Sequence, residues 1–489
     1  MDKIFVSGMK FVDEHGRERI FSGMNVVDKK EYLADNPSYG YHAETFPFEE
    51  FRARGYDIIR LGFTWGAMEP KPGKYNEQLI ESLCAFLDKC EEYGIYAYLD
   101  CHQDVWSPQC YGDGAPHWAT ITDQFKPRKP IAVWAEPYFY GKACHRAFDN
   151  FWDNKKINRK GLQDYYADMW KHVVKATMDK SALFGYDFFN EPFPGADGGK
   201  IFKKIIAGLV KTTITDKRVN ILELAKVGLF SKEKPKALDQ YPGEVFKNIT
   251  TNCNELVKNF DENRYSPFLS KMTSAIREIT DKGIIFMENN YYSNMGIPCC
   301  NKPASVNGER ESQQVFAPHA YDLMVDTPAY KYASNSRVGM IFDQHRATQE
   351  RLQVPCLVGE WGSCAEGDGW YPHIRFLQDK FDSYKWSNTY WCYFDGILEQ
   401  DFMKVLTRPR PKAVTGEIIS YKYNHDEGEF KLKYKQDKKF KVPTVVYVDR
   451  KPKEIECDGK YEIIELPGNI GYDIEFKTDI GEHEIEIEF

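Results

Sequence analysis

Short apolar runs alternate with stretches of helical apolar spacing over most of the chain. An apolar run with polar ends is typical of a strand buried in a parallel sheet, whereas helical spacing indicates one buried helix face. In residues 76–93 the apolar positions are 79, 80, 83, 86 and 87, and Gly94 follows as a helix-ending residue. The predicted strands are residues 21–27, 57–63, 95–101, 186–191, 283–288, 315–320, 355–359 and 387–394.

This alternation of strand and helix, repeated eight times, predicts an α/β fold of the (β/α)₈ TIM-barrel type, which we assign to residues 1–412. From residue 413 the pattern changes to short alternating runs separated by Gly and Asp turns. That pattern predicts a small C-terminal all-β sandwich over residues 413–489. Because no Ser- or Gly-rich linker separates the two parts, we expect them to pack tightly.

Two long segments interrupt the barrel pattern, at about residues 105–160 and 196–265. Segments this long in a compact domain are usually functional or disordered, and the many Trp, Tyr and Phe residues of the first argue against disorder. The second contains residues 201–214, whose apolar positions form a helical stripe. That stripe is compatible with a helix packed on the barrel and with an apolar lid over a lipid-like substrate.

Composition narrows the function. A formal net charge of −8, with no basic stripe, argues against a nucleic-acid partner. Aromatic residues make up 15% of the chain, which fits either a large core or a platform for sugar or lipid. The 12 cysteines include no CxxC pair and no metal-ligand spacing, so we expect no metal site.

The sequence also bears on location. No stretch approaches the roughly 20 apolar residues that span a bilayer, and the first residues lack the basic and apolar regions of a signal peptide. We therefore expect a cytoplasmic protein, or a secreted one if a leader has been removed. The oligomeric state is not predicted.

Two glutamates follow apolar runs at the predicted ends of strands four and seven, in Asn190-Glu191-Pro192 and Gly359-Glu360-Trp361. The carboxyl ends of barrel strands are where active sites lie. Two carboxylates flanking a sugar can hydrolyse a glycosidic bond, one as proton donor and one as nucleophile. We predict Glu191 as the acid, because Asn190 beside it can hydrogen-bond the sugar 2-hydroxyl, and Glu360 as the nucleophile.

Further polar and aromatic residues fall at the same strand ends. Arg60 and Tyr321 are predicted to stabilise the Glu360 carboxylate. His102, His319 and Trp391 are predicted to line the mouth, with Trp391 as a flat floor for a sugar ring. These residue types also have structural roles that need no substrate. A glutamate at a strand end can be a surface or helix-capping residue, a histidine can be hydrogen-bonded in the core, an arginine can form a structural ion pair, and a tryptophan can pack in the core.

Taken together, these motifs resemble glycoside hydrolase family 5, and within it the endoglycoceramidase branch. The residues that carry the resemblance are Asn190-Glu191-Pro192, His319-x-Tyr321, Gly359-Glu360-Trp361-Gly362, Arg60 and Trp391. The branch is indicated by Asp100-x-His102-Gln103-Asp104-x-x-Ser107, Gly112-Asp113-Gly114-Ala115-Pro116-x-Trp118, Ala317-Pro318-His319-x-Tyr321 and Arg408-Pro409-x-Pro411-x-Ala413-Val414-x-Gly416.

The resemblance implies a retaining enzyme with Glu191 as acid/base and Glu360 as nucleophile, and no cofactor. It implies that His102 and Asp104 hold the sugar nearest the cut and that residues 105–160 hold the lipid. The substrate would be a glycolipid: either an intact glycan is released from ceramide, or glucose is released from glucosylceramide or a steryl glucoside. Transient contact with a micelle or membrane surface is expected with such a substrate.

Two other hypotheses remain open, and a third is rejected. A glycolipid-binding or transfer protein on an inactive barrel is disfavoured by the presence of both carboxylates and their supporting residues. A metal-dependent hydrolase would need paired histidines, and His102-Gln103-Asp104 supplies only one, so we reject this hypothesis. A cleft like that of a β-1,4-glucanase or mannanase remains an alternative within the glycosidase reading.

Overall fold

The computed structural model describes residues 1–29, 43–131, 133–230 and 234–489. Residues 30–42, which belong to the predicted barrel domain, and residues 132 and 231–233, which belong to the two predicted inserts, lie outside the described residues.

Eight parallel strands close into a barrel, so the predicted fold class is confirmed. Each strand pairs with its neighbours in chain order, and strand eight returns to strand one. Bridges between Phe316 and Cys356 and between His319 and Glu360 join strands six and seven and complete the ring. The strands are β1 (Ser22–Val27), β2 (Ile58–Thr64), β3 (Tyr96–His102), β4 (Leu183–Asp187), β5 (Ile284–Glu288), β6 (Gln314–Ala317), β7 (Leu357–Val358) and β8 (Ser387–Tyr390).

The helices pack around this ring and bury the predicted faces. In Glu77–Glu92, for example, Leu79, Leu83 and Leu87 are buried, and the Asn76 side chain caps the first turn by accepting from the Leu79 N–H. The α-helices are α1 (Phe48–Ala53), α2 (Trp65–Met68), α3 (Glu77–Glu92), α4 (Glu136–Tyr140), α5 (Lys142–Trp152), α6 (Leu162–Thr177), α7 (Ala196–Thr215), α8 (Ile221–Phe230), α9 (Gly243–Thr250), α10 (Asn254–Phe260), α11 (Ser266–Arg277), α12 (Asn335–Leu352), α13 (Tyr371–Tyr384) and α14 (Met403–Leu406).

Shorter elements fill the connections. Between β5 and β6, where the repeating pattern would place a helix, the chain forms a 3₁₀ turn and a small hairpin. Among the described helices, none has the length and apolar character needed to cross a membrane. The 3₁₀ helices are Pro108–Cys110, His117–Ala119, Lys234–Gln240, Thr251–Cys253, Tyr291–Met295, Tyr330–Tyr332, Ile397–Glu399 and Pro467–Asn469, Asp261–Tyr265 is π-helical, and the short hairpin strands are Lys156–Ile157, Lys160–Gly161, Ser305–Val306 and Glu309–Arg310.

The two inserts contribute to both the core and the surface. In the first, Trp106 and Phe151 are buried in an aromatic cluster, whereas Trp134 keeps 46% of its surface exposed. In the second, α7 buries Ile201 and Ile205 on one face and leaves other apolar residues in solvent. The interpretation of residues 201–214 as a helix packed on the rest of the protein therefore holds for one face of α7 only.

The C-terminal strands form the predicted β-sandwich, with a core that includes Phe430, Leu432, Val446 and Ile474. Within the described ranges of the chain, its two sheets contain seven and four strands. The first sheet is Ile4–Ser7, Lys10–Asp13, Glu18–Arg19, Arg410–Val414, Thr444–Val448, Tyr472–Lys477 and Lys460–Glu465 in spatial order, and the second is Glu417–Asn424, Glu429–Gln436, Gly481–Glu488 and Glu454–Glu456.

The larger sheet takes strands from both ends of the chain. Arg19 pairs with Ala413, so the N-terminal strands belong to a sheet on the far side of the predicted boundary at residue 412. An ion pair also connects the barrel to the sandwich: Asp473 accepts from Arg52 of α1 at 2.8 Å, and within its own sheet it accepts from Lys412 at 2.9 Å. Pairing between such distant segments leaves no mark in the local alternation of apolar and polar residues, from which the boundary is predicted.

Candidate active site

Arg60 of β2 lies at the centre of a polar cluster inside the carboxyl end of the barrel. Its side chain is fully buried. Burial alone would lower the pKa of Arg60, but the surrounding carboxylates raise it well above its ordinary value, so the guanidinium stays charged. Its partners are Glu360 and Glu288 (2.6 Å each), Asp100 (2.9 Å), Asn190 (3.0 Å), Asp187 (3.1 Å) and Asn25 (3.1 Å).

The two predicted glutamates meet at this end of the barrel. A carboxylate oxygen of Glu191, one of Glu360 and a ring nitrogen of His319 all lie within 4.8 Å of one another. Retaining glycosidases hold their carboxyl groups about 5–5.5 Å apart, whereas inverting enzymes need about 6.5–9.5 Å to admit a water. The separation therefore suits a direct attack by one carboxylate on a sugar bound between them.

Glu191 is not at the strand end itself. Strand β4 ends at Asp187, and Glu191 follows in a left-handed backbone conformation with φ of 44°. Its N–H donates a 2.6 Å hydrogen bond to Glu288 Oε2. The predicted position of Glu191 at the carboxyl end of the barrel is therefore correct, but Glu191 follows the strand in a left-handed turn and does not belong to the strand.

The surroundings of Glu191 favour its protonated form. Burial, followed by the negative charge of Asp104, raises the pKa of Glu191 to about 7, although an amide hydrogen bond from Asn294 Nδ2 (2.6 Å) acts in the opposite direction. His319 Nδ1 lies 3.2 Å from the same carboxylate oxygen. Burial lowers the pKa of His319 to about 3, so that ring is neutral. A carboxyl group with this pKa can hold a proton near neutral pH and release it to a substrate.

Glu360 has two donors on its carboxylate. Arg60 Nη1 donates to Oε1 at 2.6 Å, and the Tyr321 hydroxyl donates to Oε2 at 2.8 Å. Both residues were predicted in this position. Charge-assisted hydrogen bonds of this kind stabilise a negative carboxylate, the form that a nucleophile requires.

Next to the glutamates lies a group of residues suited to hold a sugar. His102 Nδ1 bonds Asp100 at 2.8 Å, and its Nε2 lies 3.5 Å from Asp104. Burial and the Lys29 charge lower the pKa of His102, but the two aspartates outweigh them and raise it to about 9. The ring is therefore cationic.

Trp391 and Lys29 complete this group. The Trp391 ring stacks on His102 with centroids 5.3 Å apart and an interplanar angle of 13°. The Lys29 ammonium lies 4.7 Å from the centre of the Trp391 ring and also pairs with Asp104. Because Trp391 is only half-buried, part of its surface remains open to a ligand.

Asn190 is held by protein groups on both sides of its amide. Its Oδ1 accepts from Arg60 and its Nδ2 donates to the Gln103 carbonyl, both at 3.0 Å. An Asn amide carries two hydrogens, and among the described residues only one of those of Asn190 has an acceptor. A contact to a sugar hydroxyl would use the other hydrogen.

Several residues of the cluster were not predicted from the sequence. Glu288 is the last residue of β5. It follows an apolar run at a strand end, which is the same pattern that predicted Glu191 and Glu360, so the sequence could have predicted it as well. Asn294 lies in a 3₁₀ helix and Lys29 just beyond β1, positions that carry no comparable signal. Asp100 and Asp187 lie within strands, and an acidic residue there indicates a buried partner, here Arg60.

Among the described residues, four groups of side chains have donor atoms close enough to surround a cation, and three of these groups lie in the polar cluster at the carboxyl end of the barrel. Asp100, Asp187 and Glu288 surround the Arg60 guanidinium, and Asp104 pairs with Lys29, so in these two groups a protein cation already balances the carboxylates. The third group contains the paired glutamates. That the site needs no metal or organic cofactor stays a prediction.

The described geometry therefore combines a carboxyl group that keeps its proton near pH 7, a carboxylate with two donors at reacting distance, and an aromatic surface beside them. Such a set can protonate a leaving oxygen and attack an acetal carbon from the opposite side. Neither glutamate could do both at once.

Comparison with known proteins agrees with this chemistry. The family model "Cellulase (glycosyl hydrolase family 5)" matches residues 12–216 and 239–396. The model "Glycoside hydrolase family 5 C-terminal domain" matches residues 408–483. Together they cover the barrel and most of the sandwich.

Among curated relatives, an endoglycoceramidase of Hydra vulgaris is 32% identical over 208 residues, which are 38% of this chain and 39% of that protein. A glucosylceramidase of Cryptococcus neoformans is 29% identical over 252 residues, 40% of this chain and 34% of that protein. The chain thus matches about two fifths or less of the length of these relatives.

Among solved structures, endo-glycoceramidase II from a Rhodococcus species resembles the fold over 99% of both chains. Its lactosyl-enzyme intermediate has a TM-score of 0.73 at 21% identity, and its ganglioside GM3 complex a TM-score of 0.73 at 20% identity. With the family models spanning most of its length and the paired carboxylates in place, the chain belongs to glycosyl hydrolase family 5.

Proposed function

We propose that this protein is a retaining β-glycosidase that hydrolyses the bond between the glycan and the lipid of a glycosphingolipid, releasing an oligosaccharide and ceramide. The observation that carries the proposal is the Glu191–Glu360 pair: their carboxylate oxygens lie within 4.8 Å, the pKa of Glu191 is raised to about 7, and Glu360 accepts hydrogen bonds from Arg60 and Tyr321. The lipid part of the proposal is supported by the two relatives, an endoglycoceramidase and a glucosylceramidase.

The reaction proceeds in two displacements. Glu360 attacks the anomeric carbon while the Glu191 carboxyl donates its proton to the glycosidic oxygen, which leaves as the ceramide hydroxyl. The products of this step are a glycosyl ester of Glu360 and the Glu191 carboxylate. A water then gives a proton to Glu191 and attacks the same carbon, which frees the glycan and restores both glutamates.

The remaining site residues act on the sugar nearest the cut. The cationic His102 and the Asp104 carboxylate offer a donor and an acceptor for hydroxyl groups, and the open part of Trp391 offers an apolar surface for the ring. Lys29 keeps Asp104 ionised, since its ammonium lowers the pKa of that carboxyl below the usual range despite burial. Asn190 contributes its second amide hydrogen.

The lipid side of the site is the exposed apolar surface of the two inserts. Phe139 of α4 stacks on Phe202 of α7 with centroids 4.5 Å apart, so the inserts adjoin. Along α7, Ile206, Val210 and Ile214 form an exposed stripe with 45%, 55% and 70% of their surfaces in solvent. These residues are spaced four apart and therefore share one helix face.

This surface suits an anionic lipid layer. Residues 196–226 contain seven Lys or Arg and three Asp or Glu, in a chain whose formal net charge is −8. Lys203 and Lys211 are exposed on α7 beside the apolar stripe. A helix with exposed apolar residues flanked by lysines is typical of interfacial contact, with each basic residue near an anionic surface contributing about 1 kcal/mol.

The substrate proposal is tested by mass spectrometry of the products from lactosylceramide, glucosylceramide and a steryl glucoside in detergent, with Glu360→Gln as the inactive control. Intact lactose plus ceramide supports the proposed reaction. A second function, release of glucose from monoglucosylated lipids alone, is favoured by the glucosylceramidase relative and would be indicated by cleavage of the other two substrates only. Activity confined to cello- or manno-oligosaccharides would contradict both.

The lipid-surface proposal is tested by sedimentation with phosphatidylcholine vesicles that contain or lack phosphatidylserine. We expect binding to the anionic vesicles, weakened by salt and by the joint change Val210→Ser and Ile214→Ser. Ile480→Ser is the matched control, because Ile480 is 56% exposed in the sandwich, away from the inserts. Equal loss in both variants, or binding without charge dependence, would contradict the proposal.

A further inference from the structure

We propose that Glu288 is a positioning residue for the hydrolytic reaction: its carboxyl group joins the Arg60 guanidinium to the Glu191 backbone and thereby sets the acid against the nucleophile. This inference rests on the proposed roles of Glu191 and Glu360. Glu288 would touch neither substrate nor the reacting atoms and would act only through its two neighbours.

The contacts form one continuous chain across the barrel. Glu288 is the last residue of β5 and is fully buried. Its Oε1 accepts from Arg60 Nη2 and its Oε2 accepts from the Glu191 N–H, both at 2.6 Å. Arg60 Nη1 then donates to Glu360 at the same distance. The Glu191 backbone and the Glu360 carboxylate are thus connected through two side chains, Glu288 and Arg60.

The link matters because of the backbone at Glu191. Its φ of 44° is a left-handed conformation that side chains other than Gly, Asn and Asp adopt rarely. Such a conformation persists only where its surroundings hold it in place. The Glu191 N–H lies beyond the end of β4, and Glu288 supplies its acceptor. Without that acceptor, the direction of the Glu191 side chain would be less well fixed.

The charge state of Glu288 fits this role. Burial and then the Asp187 charge raise the pKa of Glu288 well above its ordinary value, against the opposing effect of Arg60. Carboxylate oxygens of Glu288, Asp187 and Asp100 lie within 4.8 Å of one another, so a proton on Glu288 reduces the repulsion between them. The groups facing Glu288 are Arg60, Asp100, Asp187, Glu191 and, at 3.5 Å, His319. Because the raised pKa favours its protonated form, Glu288 can accept the Glu191 N–H with less negative charge beside the proton donor than an isolated carboxylate would carry.

The test is Glu288→Gln, a change of nearly equal volume. A carboxyl group has two acceptor oxygens and an amide has one, so Gln keeps one of the two bonds and loses the other. We expect kcat/KM on the glycolipid to fall about 100-fold, the scale of a misplaced catalytic group. The loss on a dinitrophenyl glycoside should be much smaller, because that leaving group needs little protonation. KM should change little.

The matched control is Asp261→Asn. Asp261 is also a fully buried carboxyl, with a pKa that burial raises to about 7, and it also accepts one backbone N–H, that of Cys300 at 2.7 Å, and one side chain, Asn290. It contacts neither Glu191 nor Glu360 in the described hydrogen bonds. We expect a lowered Tm in both variants. Only Glu288→Gln should lose more kcat/KM on the glycolipid than on the dinitrophenyl glycoside.

Equal losses on both substrates, or wild-type rates, would overturn the proposal. If Glu288→Gln does not fold, the same two substrates are compared with Glu288→Asp. That change keeps the carboxyl group but shortens the side chain by one methylene, so we expect the same larger loss on the glycolipid. The wild-type enzyme separates this inference from the function it rests on: no cleavage of any glycoside by the wild type would refute the proposed function, whereas an unaffected Glu288 variant would refute the positioning role alone.

Discussion

Arg60 Nη1 donates a 2.6 Å hydrogen bond to Glu360 Oε1, joining strand β2 to a residue 300 positions further along the chain. The same guanidinium holds Glu288 and Asn190, so one side chain places both halves of the site. Arg can do so because its planar fork offers five donors, whereas Lys offers three on one nitrogen.

We therefore expect Arg60→Lys to lower kcat on any accepted glycoside by about 100-fold or more, since misplaced groups cost about that much. Activity would be measured per mole of folded protein. The matched control is Arg337→Lys, because Arg337 is equally buried and pairs with Asp322 at 2.8 Å, outside the active site. That control should lower Tm without this loss of kcat. Similar kcat values in the two variants would contradict the assigned role of Arg60.

The acid role of Glu191 predicts chemical rescue. In Glu191→Ala, cleavage of a dinitrophenyl glycoside should still form the glycosyl ester, since that leaving group needs little protonation. In the second displacement, water would have no base to deprotonate it. Azide is already an anion and needs no base, so it should accelerate the breakdown of the glycosyl ester and yield a β-glycosyl azide. Natural lipids should be almost inert. No effect of azide, or an α-glycosyl azide as the product, would argue against Glu191 as acid/base in a double displacement.

Glu191 also predicts the pH dependence. Because the donor must hold a proton and its pKa is raised to about 7, kcat/KM should fall as the pH rises through about 7. Asn294→Ala removes a hydrogen bond that stabilises the Glu191 carboxylate, so this basic limb of the pH profile of kcat/KM should move to higher pH. Asp104→Asn removes a negative charge that raises the pKa, so the limb should move to lower pH. Shifts in the same direction would contradict the assignment of the limb to Glu191.

The contact between barrel and sandwich predicts a stability effect. Asp473 is nearly buried between Lys412 and Arg52, and these cations lower its pKa to about 2 although burial opposes them. Since the unfolded value is about 3.9, the resulting stability is present above about pH 4 and is lost as the pH falls toward 2. Asp473→Asn would also leave Lys412 buried without its carboxylate, which costs about 3 kcal/mol.

Urea unfolding at neutral pH and at low pH measures both effects. We expect the free energy of unfolding of Asp473→Asn to be lower at neutral pH and less sensitive to acid than that of the wild type. Asp437→Asn is the control, because that side chain is 78% exposed and its loss should change stability by no more than about 0.5 kcal/mol. Equal unfolding free energies for the wild type and Asp473→Asn would show that the ion pairs contribute nothing.

The barrel was predictable because its signals are local. A strand buried on both faces must be apolar, and a helix on its outside must be apolar on one face, so β2 and α3 are visible within a few residues of sequence. The carboxyl ends of parallel strands share one rim, and this rule alone predicted that Glu191 and Glu360 would meet.

Only the tertiary structure decided how that site is built. The left-handed turn at Glu191, the acceptor that Glu288 offers it, and the amide of Asn294 depend on contacts across the barrel mouth. The pairing of Arg19 with Ala413 likewise joins segments nearly 400 residues apart. Local apolar spacing reports which face of an element is buried, whereas a hydrogen bond between distant segments exists only once the ring has closed and fixed their separation.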